Sequence, residues 1–158
     1  MSSRLVIDSS VVVKWYVAEY DSVQAIVLFD LWTNDDIELF APDLLPIEVG
    51  NILWKKQRIG AMTSIQAQKT TSTVTALTIP WSDSHELLPQ AISIAIKHDR
   101  TVYDSIYLAL AIQLGCPFVT ADDRLANAVA AHIPSVVKLS DWKPSSPTTV
   151  PPATPSSP

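Results

Sequence analysis

Short runs of β-branched and apolar residues alternate along this chain with longer segments of helical periodicity, and no other feature restricts the fold as strongly. The strand-like runs cover residues 5–7, 37–41, 74–79, 117–120 and 136–139. The helix-like segments cover residues 20–33, 44–58, 64–72, 84–97, 104–114 and 124–131. Because strands that alternate with helices favour a parallel sheet covered by helices, we predict an α/β fold.

Single residues predict several of the helix boundaries. Ser84 and Asp104 are candidate N-caps, since a short polar side chain can accept a hydrogen bond from a free backbone N–H there. Gly60 and Gly115 are stop signals, since glycine adopts the left-handed conformation that ends many helices. Residues 104–114 are apolar nearly all round, which predicts a buried helix.

The 158 residues are enough for one domain, but the composition changes near the C-terminus. Residues 144–158 contain six Pro, four Ser and three Thr, and none of them is charged. A segment of this composition cannot bury a core, so we predict that it is disordered. The predicted organisation is a folded domain over residues 1–142 followed by a tail over residues 143–158.

Cysteine content and hydropathy predict where the protein works. The single cysteine, Cys116, excludes an internal disulfide and is expected to be a buried apolar side chain. The chain begins without a charged-then-apolar leader, and no apolar run reaches the ~20 residues that span a bilayer. We therefore expect a cytoplasmic protein without a membrane association. The net charge of −5 disfavours nucleic-acid binding unless cations offset the acidic groups.

Carboxylates occur at four boundaries between the predicted elements. Asp8 follows the first strand, and Glu48 lies in the first turns of the helix after the second strand. Asp104 begins a later helix, and the pair Asp122–Asp123 follows the fourth strand. Because open parallel sheets bind ligands beyond the carboxyl ends of their strands, these acids are expected to meet there and to hold Mg²⁺ or Mn²⁺. Taken singly, Asp8, Asp104 and the Asp122–Asp123 pair are also explained as turn or cap residues.

Small hydroxyl side chains accompany the acids. Ser10 lies two residues after Asp8, and Thr120 lies two residues before Asp122. Each can orient a carboxylate or bound water, although a local turn hydrogen bond is an equal alternative. Asp123 is a further supporting carboxylate beside Asp122.

Basic side chains near the acids are candidate contacts for a phosphate group. Lys14 and Arg124 are the nearest in sequence, and we predict that they bind substrate. Lys55, Lys56 and Arg58 are interpreted instead as a solvated helix end, where positive charge suits the helix dipole.

Four segments together resemble the PIN-domain ribonucleases of the VapC toxin type. They are VIDSSV at residues 6–11, APDLLPIEV at 41–49, YDSIYLALA at 103–111 and VTADDRL at 119–125. No segment is specific alone, but their order and spacing are typical of the family. The resemblance extends over roughly residues 5–142.

This resemblance implies a three-layer α/β/α fold with a central parallel sheet of four to five strands. It implies that Asp8, Glu48, Asp104 and Asp122 are the catalytic and metal-binding acids, supported by the two hydroxyls described above. It also implies Mg²⁺- or Mn²⁺-dependent cleavage of RNA, a small antitoxin protein as partner, and a homodimer. The proline-rich tail has no counterpart in the family pattern.

Two other functions stay open from the residues alone. The first is a metal-dependent phosphohydrolase of small phosphate esters. A phospho-aspartyl enzyme of the haloacid-dehalogenase type would carry a second Asp two residues after Asp8, where this chain has Ser10. The second is a catalytically silent module that binds a partner through an apolar surface. The large side chains expected on that surface are Trp15, Tyr16, Trp32 and Trp54.

Overall fold

A five-stranded parallel sheet, seen in a computed structural model that describes residues 3–144, forms the centre of the molecule. Its strands are β1 (Ser3–Ile7), β2 (Ile37–Pro42), β3 (Trp81–Ser82), β4 (Phe118–Thr120) and β5 (Val136–Lys138). Their order across the sheet is β3-β2-β1-β4-β5, and every neighbouring pair is parallel.

Seven α-helices in the described part of the chain complete the predicted three-layer α/β/α fold, which is thereby confirmed. They are α1 (Ser9–Val12), α2 (Ser22–Thr33), α3 (Leu45–Arg58), α4 (Ser64–Thr75), α5 (Ser84–His98), α6 (Val102–Leu114) and α7 (Asp123–Val129). A short 3₁₀ helix, Val13–Trp15, follows α1. Between residues 3 and 144 no helix has the length and apolar character to cross a bilayer.

The central strand and one helix form the middle of the core. In β1, Leu5, Val6 and Ile7 are all buried, as expected for a parallel strand that is covered on both faces. Helix α6 is buried continuously over residues 105–111 and packs against α5, β1, β2 and β4. Cys116, which follows this helix, is buried and unpaired, as predicted.

The strand order creates a crevice beside β1. The chain moves outward from β1 through β2 to β3, and then returns to place β4 on the other side of β1. Ile7 pairs with Val119 at the last position of this parallel pairing, so Asp8 and Thr120 follow at adjacent strand ends. Such reversals of strand order mark the usual ligand site of an open α/β sheet.

The strand predicted at residues 74–79 is wrong. Helix α4 continues to Thr75, and the third strand is the two-residue β3. A capping box at Thr63 starts α4, and the hydroxyls of Thr71 and Thr73 donate to the carbonyls four residues earlier. These back-bonds satisfy the hydroxyls within the helix, so a threonine-rich run can continue the helix that the capping box begins.

Two predicted N-caps move by one to three residues. Asp83, rather than Ser84, caps α5, and Ser84 instead hydrogen-bonds through its backbone and hydroxyl to Asp43 beyond β2. Thr101, rather than Asp104, caps α6 through a 3.1 Å bond from the backbone N–H of Asp104. Asp104 is thereby placed in the first turn of α6, where its carboxylate accepts a hydrogen bond from Thr101.

The predicted apolar binding surface is largely internal. Trp15 stacks on Trp32 with 5.9 Å between ring centroids and meets Tyr16 edge-on, and all three side chains pack against the core. Trp54 alone of the four is substantially exposed, with Arg58 lying 5.0 Å from its ring centroid. Of the tail predicted at residues 143–158, all but the first two residues lie outside the described residues.

Candidate active site

Asp8 is a buried carboxylate fixed by the residues around it, with only 6% of its surface exposed. Its Oδ1 accepts hydrogen bonds from the backbone N–H of Ser10 at 3.1 Å and of Val11 at 3.3 Å, and from the Ser10 hydroxyl at 2.5 Å. Its Oδ2 accepts one from the Thr120 hydroxyl at 2.5 Å. Asp8 therefore caps α1, as one interpretation of the sequence had it, and lies in the crevice as well.

The two predicted supporting hydroxyls join the ends of β1 and β4. The Ser10 hydroxyl accepts a hydrogen bond from the backbone N–H of Ala121 at 2.9 Å. The Thr120 hydroxyl, fully buried, accepts one from the backbone N–H of Asp122 at 3.0 Å. Each hydroxyl thus receives a backbone hydrogen bond from the β4 end and donates to Asp8. These contacts fix the position of one carboxylate relative to the chain that carries the next.

Glu48 is held by two side chains that the sequence interpretation missed as site residues. The phenol of Tyr107 donates a hydrogen bond to Oε2 of Glu48, and the side chain of Ser9 also hydrogen-bonds to this carboxylate. Burial and the neighbouring Glu48 raise the pKa of Tyr107, so the phenol stays protonated and remains a donor. Tyr107 lies three residues after Asp104 on α6, a spacing that places both on one helix face and could have identified it.

Asp104 and Asp122 stand at the starts of two helices and are more accessible than Asp8. Asp104 is partly buried in the first turn of α6. Asp122 is exposed and caps α7, because its Oδ1 accepts from the backbone N–H of Arg124 at 2.9 Å and of Leu125 at 3.0 Å. Both cap hydrogen bonds are accepted by Oδ1 of Asp122. The cap therefore does not exclude the predicted role of Asp122 in the site.

The four predicted acids form a row, in which the negative charge of one carboxylate raises the pKa of its neighbour. Burial raises the pKa of Asp8 to about 6, and the charge of Glu48 adds to this shift. Burial also raises the pKa of Glu48, with a contribution from Asp104. Burial likewise raises the pKa of Asp104, with a contribution from Asp122. These increases are opposed by hydrogen bonds to each carboxylate, which Asp8 accepts from Ser10 and Thr120, Glu48 from Tyr107, and Asp104 from Thr101. A concentration of negative charge of this kind is relieved by a bound cation.

The donor set of this acidic row, Asp8–Glu48–Asp104–Asp122, fits a hard divalent cation. All the donors are carboxylate oxygens, which Mg²⁺ and Mn²⁺ prefer. Over residues 3–144 no three His, Cys, Asp or Glu side chains are grouped closely enough to enclose an ion by themselves. Mg²⁺ commonly takes only one or two carboxylates and keeps several waters, so a row of neighbouring acids meets its requirement without a closed cage.

A groove of about 440 Å³ lies beside Asp122, the exposed member of the acidic row, and contains the two predicted substrate-binding side chains. Lys14 and Arg124 both line it, together with Ser10 and Asp122. Asp123 lines it too, and its carboxylate lies 4.0 Å from the ammonium of Lys138 in an exposed pair of little energetic weight. The structure therefore places the predicted site residues in the acidic row or along this groove, except for the buried Thr120, which contacts Asp8 from beneath.

Sequence comparisons connect this chain to proteins of known family. Residues 5–130 match the family model described as the PIN domain. Ribonuclease VapC3 of Pyrobaculum aerophilum is 33% identical over 132 residues, which cover 82% of this chain and 98% of that protein. Ribonuclease VapC1 of Mycobacterium tuberculosis is 33% identical over 101 residues, which cover 63% of this chain and 72% of that protein.

Two solved structures share the fold at lower identity. The crystal structure of PAE2754 from Pyrobaculum aerophilum has a TM-score of 0.60 and 21% identity, covering 89% of this chain and 93% of that one. VapC20 of Mycobacterium tuberculosis, described as a Sarcin-Ricin loop cleaving toxin, has a TM-score of 0.58 and 15% identity, covering 78% and 94%. The family model and the curated relatives, together with this common fold, establish the affiliation: the chain belongs to the PIN-domain family, and within it to the VapC-type ribonucleases.

Proposed function

We propose that this protein is an endoribonuclease that depends on a divalent cation and acts as the toxin of a toxin–antitoxin pair. The observation that carries the proposal is the acidic row, four carboxylates that influence one another at the crevice beside β1. The relatives named ribonucleases supply the reaction class. We further propose that the protein acts in the cytoplasm.

In this proposal Asp8, Glu48, Asp104 and Asp122 hold Mg²⁺, with Mn²⁺ as an alternative. A divalent cation bound there supplies Lewis acidity toward the scissile phosphate and the attacking water. Hydrolysis breaks one P–O bond of the RNA backbone and adds water across it. Burial raises the pKa values of Glu48 and Asp104 in the cation-free protein, and a bound cation would oppose this shift and favour their ionised forms.

The other residues of the site position the acids. Ser10 and Thr120 hold both oxygens of Asp8, and their hydrogen bonds lower its pKa and so favour the ionised form. Tyr107, on the buried face of α6, donates a hydrogen bond to one oxygen of Glu48 and lowers the pKa of that carboxyl. Such fixed donors keep the carboxylates oriented before substrate arrives, which reduces the reorganisation needed during reaction.

Substrate would lie in the groove described above. Lys14 and Arg124 are proposed to contact backbone phosphates of the RNA, which would bring the chain to the acidic row without reading its sequence. Asp123 is proposed to support the site as a second carboxylate beside Asp122. The local positive charge offsets the overall charge of −5 where the phosphates bind.

Two protein partners follow from the family. We propose a small antitoxin that covers the acidic row with a basic segment, since opposite charge favours such a complex. We also propose a homodimer. Light scattering of the purified protein, alone and with the product of a neighbouring small open reading frame, tests both partners at once.

The decisive experiment is cleavage of a mixed pool of structured and single-stranded RNA by the wild type and by Asp104→Asn. Each protein is assayed with Mg²⁺, with Mn²⁺ and with chelator. We expect cation-dependent cleavage by the wild type. Asp104→Asn should abolish this cleavage, because the substitution replaces a negatively charged carboxylate of the acidic row by a neutral amide. Asp30→Asn is the matched control, since Asp30 is exposed on α2 and lies outside the row.

Other outcomes would redirect the assignment. Hydrolysis of a small phosphate monoester without cleavage of any RNA would support a phosphohydrolase instead. Failure of either cation to bind would favour a non-enzymatic partner-binding module. Cleavage at the wild-type rate by Asp104→Asn would remove the acidic row from the mechanism.

A further inference from the structure

Lys56, near the end of α3, is not the solvated lysine that its sequence context indicates. Its side chain is only 20% exposed, and its ammonium pairs with the carboxylate of Glu19, 37 positions earlier in the chain. The adjacent Lys55 is exposed. The two neighbouring lysines therefore differ in exposure. Of the two, only Lys56 lines the groove that contains Lys14 and Arg124.

The same carboxylate also pairs with Lys14. The Lys14 ammonium lies 3.2 Å from Oε2 of Glu19, and the Lys14 side chain is 12% exposed. Although burial opposes it, hydrogen bonding to Lys56 and Lys14 lowers the pKa of Glu19, so this group is ionised at neutral pH. Two ammonium groups thus share one carboxylate, and the cluster retains one positive charge. Each ammonium has three N–H donors, so both keep donors for another acceptor.

This cluster lines the same groove as Asp122, the exposed member of the acidic row. The groove that Lys14, Glu19 and Lys56 line is continued by Asp122 and Arg124. Its partly buried lysines are less screened by solvent than a surface pair would be. A ligand that extended from Asp122 along this groove would meet the ammonium groups of Lys14 and Lys56. Their two positive charges are balanced by only one negative charge, that of Glu19.

We infer that Lys14 and Lys56 form a binding subsite for a backbone phosphate of RNA, and that Glu19 is the internal counter-ion that this phosphate competes with. The inference rests on the proposed function and deepens it, because it assigns Lys56 and Glu19 to substrate binding. A phosphate oxygen replaces Glu19 as acceptor, and the released carboxylate turns toward solvent.

The test uses opposite substitutions of one ion pair. Binding of a fluorescent single-stranded RNA oligonucleotide is measured over a range of salt concentrations, with Asp8→Asn as the background so that the RNA is not cut. Lys56→Gln is expected to weaken binding about five-fold at ~0.1 M salt and to reduce the slope of log K against log salt by about 0.7, the value for one phosphate contact on a single strand. Lys55→Gln is the matched control and should change neither quantity.

Glu19→Gln is expected to act in the opposite direction. It frees both ammonium groups from competition, so RNA should bind more tightly and the salt slope should become steeper. Because Lys56→Gln and Glu19→Gln remove the same ion pair, a purely structural pair would make both variants bind RNA more weakly. Melting temperatures of all variants verify that they are folded.

Specific results overturn the inference. Equal binding by the Lys56→Gln and Lys55→Gln variants would do so, and so would weaker binding by Glu19→Gln. If the wild type still cleaves RNA with Mg²⁺ in those cases, only the phosphate subsite is lost and the proposed function stands. If the protein neither cleaves nor binds RNA, both fail together.

Discussion

The hydroxyl of Thr120 donates a hydrogen bond to Oδ2 of Asp8 across 112 positions of sequence. The two residues meet because β1 and β4 are neighbours in the sheet and end at the same level. Burial raises the pKa of Asp8, and this bond, with that from Ser10, opposes the increase. Thr120 therefore helps to keep a buried carboxylate ionised near neutral pH, as a cation site requires.

Replacement of Thr120 by valine tests this relationship. Valine has nearly the same shape but no hydroxyl, so the pKa of Asp8 should rise beyond about 6 and the acid limb of the pH–rate profile should move to higher pH. Cleavage should fall more at pH 6 than at pH 8. Thr120→Ser keeps a donor and should restore the wild-type profile. An unshifted acid limb in Thr120→Val would show that the hydroxyl does not govern the ionisation of Asp8.

The stability of the cation-free protein should depend on Asp8 in a defined direction. The folded-state pKa of about 6 lies above the ordinary value of 3.8, so the folded protein binds more protons than the unfolded chain between these values. This contribution to stability is present in full below the ordinary value and is lost as pH rises through about 6. Between pH 5 and pH 8 it amounts to about 1 kcal/mol.

Asp8→Asn isolates this effect and should also abolish RNA cleavage. In chelator, the free energy of unfolding of the variant should fall less than that of the wild type between pH 5 and pH 8, measured by urea denaturation. The lowered pKa of His98 makes the free energy of unfolding increase with pH. This effect is the same in both proteins, so it cancels in the difference between them. A wild type and a variant with parallel pH dependence would contradict the burial of an ionisable Asp8.

Much of this site could be predicted from the sequence because it follows from local rules. Asp8 and Thr120 end recognisable apolar runs, and parallel strands bring their carboxyl ends to one edge. Asp122 lies only two residues after Thr120, so it had to lie nearby. The order of the strands was not contained in those patterns, but any order that made β1 and β4 neighbours gives the same crevice.

What could not be predicted depends on side chains that meet only after packing. Tyr107 is within an almost wholly apolar helix, and its role follows from the placement of α6 beneath Glu48. Likewise Lys56 differs from Lys55 only because Glu19 is brought to its side by the fold. Residues 74–79 have the composition of a strand, but the capped helix that precedes them extends into them.

Tyr107→Phe should impair catalysis without creating a cavity in the core. The phenylalanine ring can keep the stacked contact with Phe118, whose centroid lies 5.8 Å away, while Glu48 loses its donor. Loss of a hydrogen bond to a charged group costs about 1.5–3 kcal/mol, so we expect a decrease in kcat/KM of roughly ten-fold or more. Tyr103→Phe is the matched control, since that phenol is on the same helix but 61% exposed. Equal activities of the two variants would exclude Tyr107 as a positioning residue.

Cation binding should stabilise the protein in a manner that depends on pH and on the acidic row. Mg²⁺ or Mn²⁺ in excess should raise the melting temperature by mass action, as any ligand of the folded state does. Because burial raises the pKa of Asp8 to about 6, this group is largely protonated at pH 5.5 and must lose its proton to bind a cation. Burial shifts the pKa values of Glu48 and Asp104 in the same direction. The increase in melting temperature should therefore be larger at pH 8 than at pH 5.5. It should shrink in Asp104→Asn and persist in Asp30→Asn. An increase of equal size in both variants would mean that the ion binds away from the row, and the carboxylates would then need another explanation for their arrangement.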